Sequence, residues 1–109
     1  MISDELRQQL AACIVKAVQP RRIILFGSHA YGTADEGSDL DIVVVEEKFT
    51  SRLEEIRKVR KALANIPLPK DIIVCDEEYF NTHSTRDWVN TALYDARTKG
   101  IVLYEKGRD

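Results

Sequence analysis

Apolar positions along this chain follow two rhythms. Leu6, Leu10, Cys13, Ile14 and Ala17 recur at helical spacing and share one face of a first predicted helix. Ser3 stands before them as a cap, Asp4 and Glu5 suit the positive end of the helix dipole, and Pro20 closes the segment. The rhythm then changes to short runs rich in branched side chains: Arg22 to Phe26 (RIILF), Leu40 to Val45 (LDIVVV), Asp71 to Cys75 (DIIVC) and Ile101 to Tyr104 (IVLY). These read as strands, the last at a sheet edge. Ser51 to Ala64 reads as a second helix, with Ser51 and Glu54 at capping-box spacing and Leu53, Ile56, Val59 and Leu63 as its apolar stripe. Pro67 and Pro69 separate it from the third strand. A third helix is predicted from a cap at Ser84 and Asp87 through Trp88, Val89, Ala92, Leu93 and Ala96, ended by Gly100. Trp88 and Leu93 are assigned to the core, whereas Tyr79 and Phe80 fit either core or surface. With a helical turn between Ser28 and Tyr31, this order predicts an α/β (α+β) fold: a mixed sheet of about four strands flanked by helices.

The bulk composition narrows the class. A chain of 109 residues fits a single domain over 1–109, and 44% hydrophobic with 31% charged residues is ordinary for a soluble globular protein. Sixteen basic and 18 acidic side chains leave a net charge of −2, so direct nucleic-acid binding is not expected. Cys13 and Cys75 lie far apart, each in an apolar run, and read as reduced, buried small hydrophobes. The start MISDELRQQL lacks the pattern of a signal peptide, and no apolar run approaches the roughly 20 residues that span a bilayer. No membrane association is expected, and the expected location is the cytoplasm.

The candidate chemistry lies in FGSHAYGTADEGSDLDIVVV, residues 26–45. Gly27 and Ser28 follow a strand directly, where backbone N–H groups can turn toward an anion and a glycine lets a phosphate approach. No Lys-Ser or Lys-Thr pair follows, so this is not a Walker loop. Alone, Gly-Ser describes a tight strand exit equally well. Asp39 and Asp41 are two apart in an extended segment and therefore point to one face. Two such carboxylates repel each other unless a cation intervenes, and Mg²⁺ favours a few carboxylates plus substrate phosphates. Solvated acids at a strand start are the bland alternative. Asp71 opens DIIVC and can join the pair if the two strands are neighbours, giving three carboxylates for two divalent ions. Asp76 is the rival third acid, but it lies at the opposite end of its strand with the opposite parity.

Taken together, Gly27-Ser28, ten intervening residues and Asp39-Leu40-Asp41 resemble the signature of the DNA polymerase beta-like nucleotidyltransferase superfamily. Gly32 and Ser38 fit the same loop, and the size, with Asp71 as a later carboxylate, resembles the minimal nucleotidyltransferase (MNT) subfamily over nearly the whole chain. The resemblance implies transfer of a nucleoside monophosphate with release of pyrophosphate. Gly27 and Ser28 would hold the β- and γ-phosphates, Asp39 and Asp41 would bind metal, and Asp71 would bind the second metal and help deprotonate the acceptor. It implies ATP as donor and two Mg²⁺ ions, with Mn²⁺ as the alternative. His29 and Tyr31 occupy variable loop positions; His29 is read as a surface histidine, with contact to a phosphate as the alternative, and Tyr31 as loop packing, with stacking on a base as the alternative.

No acceptor-gripping domain is visible, so the acceptor is expected from a partner, a second copy or a shallow surface. Chains of this size resemble antitoxins that add AMP to a tyrosine of a HEPN-domain toxin. A non-catalytic binding antitoxin and a transferase acting on a small molecule are the alternatives. Self-association and base preference stay open at this point. Trp88, Tyr94 and Tyr104 are the aromatic candidates for a partner surface.

Overall fold

The computed structural model describes residues 2–35 and 37–107. Its elements are α1 (Asp4–Ala17), β1 (Pro20–Phe26), α2 (Ser28–Tyr31), β2 (Leu40–Glu46), α3 (Arg52–Ala62), β3 (Lys70–Asp76), α4 (Glu77–His83), a 3₁₀ turn (Arg86–Trp88), α5 (Ala92–Lys99) and β4 (Ile101–Glu105). The strands form one mixed sheet in the order β3-β2-β1-β4. β1 runs antiparallel to β2 and to β4, and β2 runs parallel to β3. A parallel pair needs a crossover, and α3 supplies it. β4 lies at one sheet edge, as its sequence predicts.

Alternation along the strands sorts side chains onto two faces. Ile23, Leu25, Leu40, Ile42, Val44, Ile72 and Val74 turn to one side, where Leu10 and Ile14 of α1 and Val59 and Leu63 of the α3 end cover them. Ile24, Phe26, Val43, Val45 and Cys75 turn to the other, beneath Phe80 of α4 and Leu93 and Ala96 of α5. Both faces of β2 are thus covered, which is why LDIVVV reads as a nearly continuous apolar run.

Helix starts follow local capping. Ser3 Oγ accepts from the Leu6 N–H at 3.1 Å, and Ser51 Oγ accepts from the Glu54 N–H at 3.3 Å. The predicted third helix is different in the structure. Asp76 caps a helix absent from the sequence reading, its carboxylate accepting from the Tyr79 N–H at 2.7 Å. Thr91, not Ser84 or Asp87, caps α5, and Asn90 between the two helical pieces has φ 74°, a left-handed conformation that asparagine tolerates. Trp88 consequently leaves the core: it is 41% exposed and rests on the ring of His83, which stacks on Tyr79. Leu53 at the start of α3 and Val89 after the 3₁₀ turn are also exposed, while Leu93 is buried as predicted. Phe80 is core and Tyr79 surface. Cys75 is buried and Cys13 only partly so; both thiols are free. Among the described residues no helix is long and apolar enough to cross a membrane.

One buried acid is expected to make the stability of the fold depend on pH. Glu46, at the end of β2, is 5% exposed. Burial, then the hydrogen bond to Glu55 and that residue's negative charge, push its carboxyl up from 4.5 to about 7, against the pull of Lys58. Glu46 Oε2 is buried without a hydrogen-bond partner, which further disfavours a charge on this carboxyl. The folded state therefore holds the Glu46 proton more tightly than the unfolded chain. Its contribution is fully present below about pH 4.5 and is lost as pH rises toward about 7. Urea denaturation across that window is expected to show stability falling by up to roughly 1.4 kcal/mol per pH unit from this group. Glu46→Gln should flatten the slope; an unchanged slope would show that the proton resides elsewhere.

Candidate active site

Three strand ends converge at one end of the sheet. Phe26, the last residue of β1, pairs with Asp41 in β2, and Asp41 pairs with Asp71 in β3. Register-paired residues project to the same face about 4.8 Å apart, so the Asp41 and Asp71 side chains leave the sheet side by side. That face is the one carrying Val43, Val45 and Cys75. Asp39 lies just before β2, two residues from Asp41, and its negative charge acts on Asp41. Asp39 and Asp71 are exposed and Asp41 is half-buried, so the group opens to solvent. Asp76 takes no part: it pairs with Glu46 at the far end of β3 and caps α4.

The Gly27-Ser28 turn lies directly against Asp41. Gly27 has φ 75° and ψ −162°, a backbone region essentially reserved for glycine. A Cβ there would overlap the Asp41 carboxylate, standing 3.0 Å from Cγ and 3.3 Å from Cβ. Ser28 begins α2, whose first turn closes through the Ala30 and Tyr31 N–H groups donating to the Gly27 carbonyl at 3.0 and 3.1 Å. Gly32 ends α2 at φ 80°. Glycine at position 27 thus meets two demands, backbone conformation and room for the carboxylate. Gly27→Ala is expected to cost about 1–2 kcal/mol from the positive φ alone and to displace Asp41. Urea denaturation checks this, with the midpoint expected to fall.

Burial is the first cause raising the Asp41 pKa, followed by the charges of Asp71 and then Asp39, with His29 pulling the other way. A half-buried acid facing two others is a site that a cation would relieve. The donors are all oxygens, as Mg²⁺ prefers. Among the described residues no set of three His, Cys, Asp or Glu side chains is already arranged around a single metal position.

His29 departs from its sequence reading. It is 8% exposed, and its Nε2 stands 3.0 Å from the Ser38 carbonyl. A carbonyl only accepts, so Nε2 carries the proton and donates. Sequence spacing held no signal for this contact across nine residues. Tyr31 is 41% exposed on the same short helix.

A glycine turn after one strand and paired aspartates entering the next, in a mixed sheet, define a nucleotidyltransferase-type domain. Residues 7–95 match the family model described as "Nucleotidyltransferase domain", and the chain belongs to that family. It is 36% identical over 64 residues to a Methanocaldococcus jannaschii protein named as a candidate protein adenylyltransferase, a stretch covering 59% of this chain and 64% of that one. The chain thus spans less than two thirds of that relative. A structure described as a toxin–antitoxin with AMP-PNP superposes with a TM-score of 0.61 at 20% identity, covering 93% of this chain and 74% of the other. A candidate nucleotidyltransferase from Sulfolobus solfataricus superposes at 0.60 and 20% identity, covering 94% and 79%. A tri-AMPylated Shewanella oneidensis HEPN toxin in complex with an MNT antitoxin gives 0.54 at 18% identity, covering 94% and 73%. At such identities the superpositions establish a shared fold.

Proposed function

We propose that this protein transfers AMP from ATP to a hydroxyl, a tyrosine side chain, of a HEPN-type partner toxin and thereby acts as its antitoxin. The observation that carries the reading is the register Phe26–Asp41–Asp71, which sets the Gly27-Ser28 turn and two carboxylates on adjacent strand ends, with Asp39 beside them. Family membership supports the reaction class. The AMP-bearing toxin in one structural neighbour supports the acceptor class.

In this scheme Gly27 and Ser28 hold the β- and γ-phosphates through backbone amides and the Ser28 hydroxyl. Asp39, Asp41 and Asp71 would hold two Mg²⁺ ions, which supply electrostatic stabilisation of the charge developing on the transferred phosphoryl group and the leaving group. Asp71, exposed at the rim, accepts the acceptor's proton as the hydroxyl oxygen bonds to the α-phosphorus. The bond from that phosphorus to the bridging oxygen breaks, and pyrophosphate leaves on the Gly27-Ser28 side.

The test incubates the protein, Mg²⁺ and the HEPN-type protein with ATP labelled at the α- or the γ-phosphate. Label from the α-position on the partner, and none from the γ-position, is the expected result. γ-Label on the partner would indicate a kinase instead. Absence of both, with neutralisation of the partner retained in the Asp39→Asn/Asp41→Asn double variant, would indicate a binding antitoxin.

A further inference from the structure

We infer that His29 is a positioning residue that ties the phosphate-binding turn to the Asp39 backbone; the inference rests on the reading that this turn and Asp39 serve nucleotide and cation. Asp39 lies outside the ladder of β2, which begins at Leu40. Its backbone is instead pinned on both sides. On one side the Leu40 N–H donates to the Pro69 carbonyl at 2.8 Å. On the other the Ser38 carbonyl accepts from His29 Nε2 at 3.0 Å.

The turn before Asp39 is closed within itself. Ser38 N–H donates to the Asp35 carbonyl at 3.2 Å, Asp35 N–H to Ser38 Oγ at 3.0 Å, and Gly37 N–H to Asp35 Oδ1 at 2.9 Å. Those bonds shape the turn without fixing it to the rest of the molecule. Among the described residues, His29 provides the side-chain hydrogen bond that joins the turn to α2. His29 immediately follows Ser28, so one short helix carries both the phosphate-side hydroxyl and the tether for Asp39. Its ring is buried, where an imidazole N–H without a partner would be costly. The bond therefore favours one setting of the turn. Partners bonded directly to a coordinating group contribute typically 10–100-fold to metal affinity or activity, and His29 acts one bond further back, through the backbone that carries Asp39.

Two substitutions separate the tether from the bulk of the ring. His29→Phe fills the space without a donor. His29→Gln retains an Nε2 donor at similar reach. His29→Phe is expected to lower Mn²⁺ affinity in the presence of a non-hydrolysable ATP analogue, and kcat for AMP transfer, by about tenfold. The KM for ATP should change less, and the urea midpoint should stay near that of the wild type. His29→Gln should recover most of both losses. Wild-type behaviour of His29→Phe, or equal losses in both variants, would overturn the inference. Wild-type protein runs in parallel. If it neither transfers AMP nor binds nucleotide with Mn²⁺, the functional reading itself fails; if it does both and His29→Phe is unaffected, only the role of His29 fails.

Discussion

Asp41→Asn is expected to reduce the proposed AMP transfer by roughly 100- to 1,000-fold or more while leaving the fold intact, since removing a single preorganised electrostatic contact at a reacting phosphoryl or acyl centre has that scale of effect. Asp41 is the middle member of the site: Phe26 pairs with it on one strand and Asp71 on the other, and Gly27 leaves room for its carboxylate. Asparagine keeps the shape and one oxygen but removes the charge a cation needs. The same change relieves a cost in the metal-free protein, where burial, Asp71 and Asp39 all disfavour the ionised Asp41. Near neutral pH the variant should therefore be at least as stable as the wild type. Kinetics and urea denaturation on the same preparation make the check. Activity lost together with stability would mean that Asp41 is structural; activity retained would remove it from the chemistry.

Phe80→Ala should cost about 3–5 kcal/mol, a large share of the roughly 5–15 kcal/mol by which such a domain is stable. Phe80 is fully buried, and it is the largest side chain α4 sends onto the sheet face that carries the carboxylates. The Arg22 guanidinium lies 5.5 Å from its ring centroid, so truncation removes a cation–π contact as well as filled volume. Trp88→Ala provides the contrast. Trp88 is larger but exposed, touching His83, and about 1 kcal/mol or less is expected. Urea midpoints for the two variants test the division between core and surface on this face. Equal losses would contradict it.

The parts of the fold with a strong period were legible in the sequence. α1, α3 and all four strands follow from their apolar spacing and caps, and the mixed sheet from their order. The region after β3 was not, because its helices are short. Asp76 reads as a strand end until one notices that Asp76-Glu77-Glu78 is also an acidic helix start. Trp88 and Val89 sit at helical spacing with Ala92 and Ala96, yet Asn90 and Thr91 break the chain between them. Tertiary cover settles such cases, and here Phe80, not Trp88, fills the face.

At the site, parity and strand adjacency anticipate the facing of Asp41 and Asp71, and the parallel register pairs them. The close approach of Gly27 to Asp41 depends on strand pairing across the β1 end, which no local pattern encodes. The burial of His29 likewise depends on where the 33–38 loop folds back. In the fold, the His29 N–H donates to the Ser38 carbonyl, a partner nine residues away that the Ser28-His29 pair does not signal.

On the proposed function, the end of the sheet bearing Gly27, Asp39, Asp41 and Asp71 takes the divalent cation and the triphosphate together. Paramagnetic broadening of backbone amide signals by Mn²⁺, recorded with and without a non-hydrolysable ATP analogue, tests it most directly. Broadening is expected to centre on Gly27, Ser28, Asp39, Asp41 and Asp71, to strengthen with the nucleotide and to be lost in Asp41→Asn. Broadening centred on Glu46, Glu47 and Glu55 at the opposite end of the sheet, or a pattern indifferent to nucleotide and to Asp41, would contradict it.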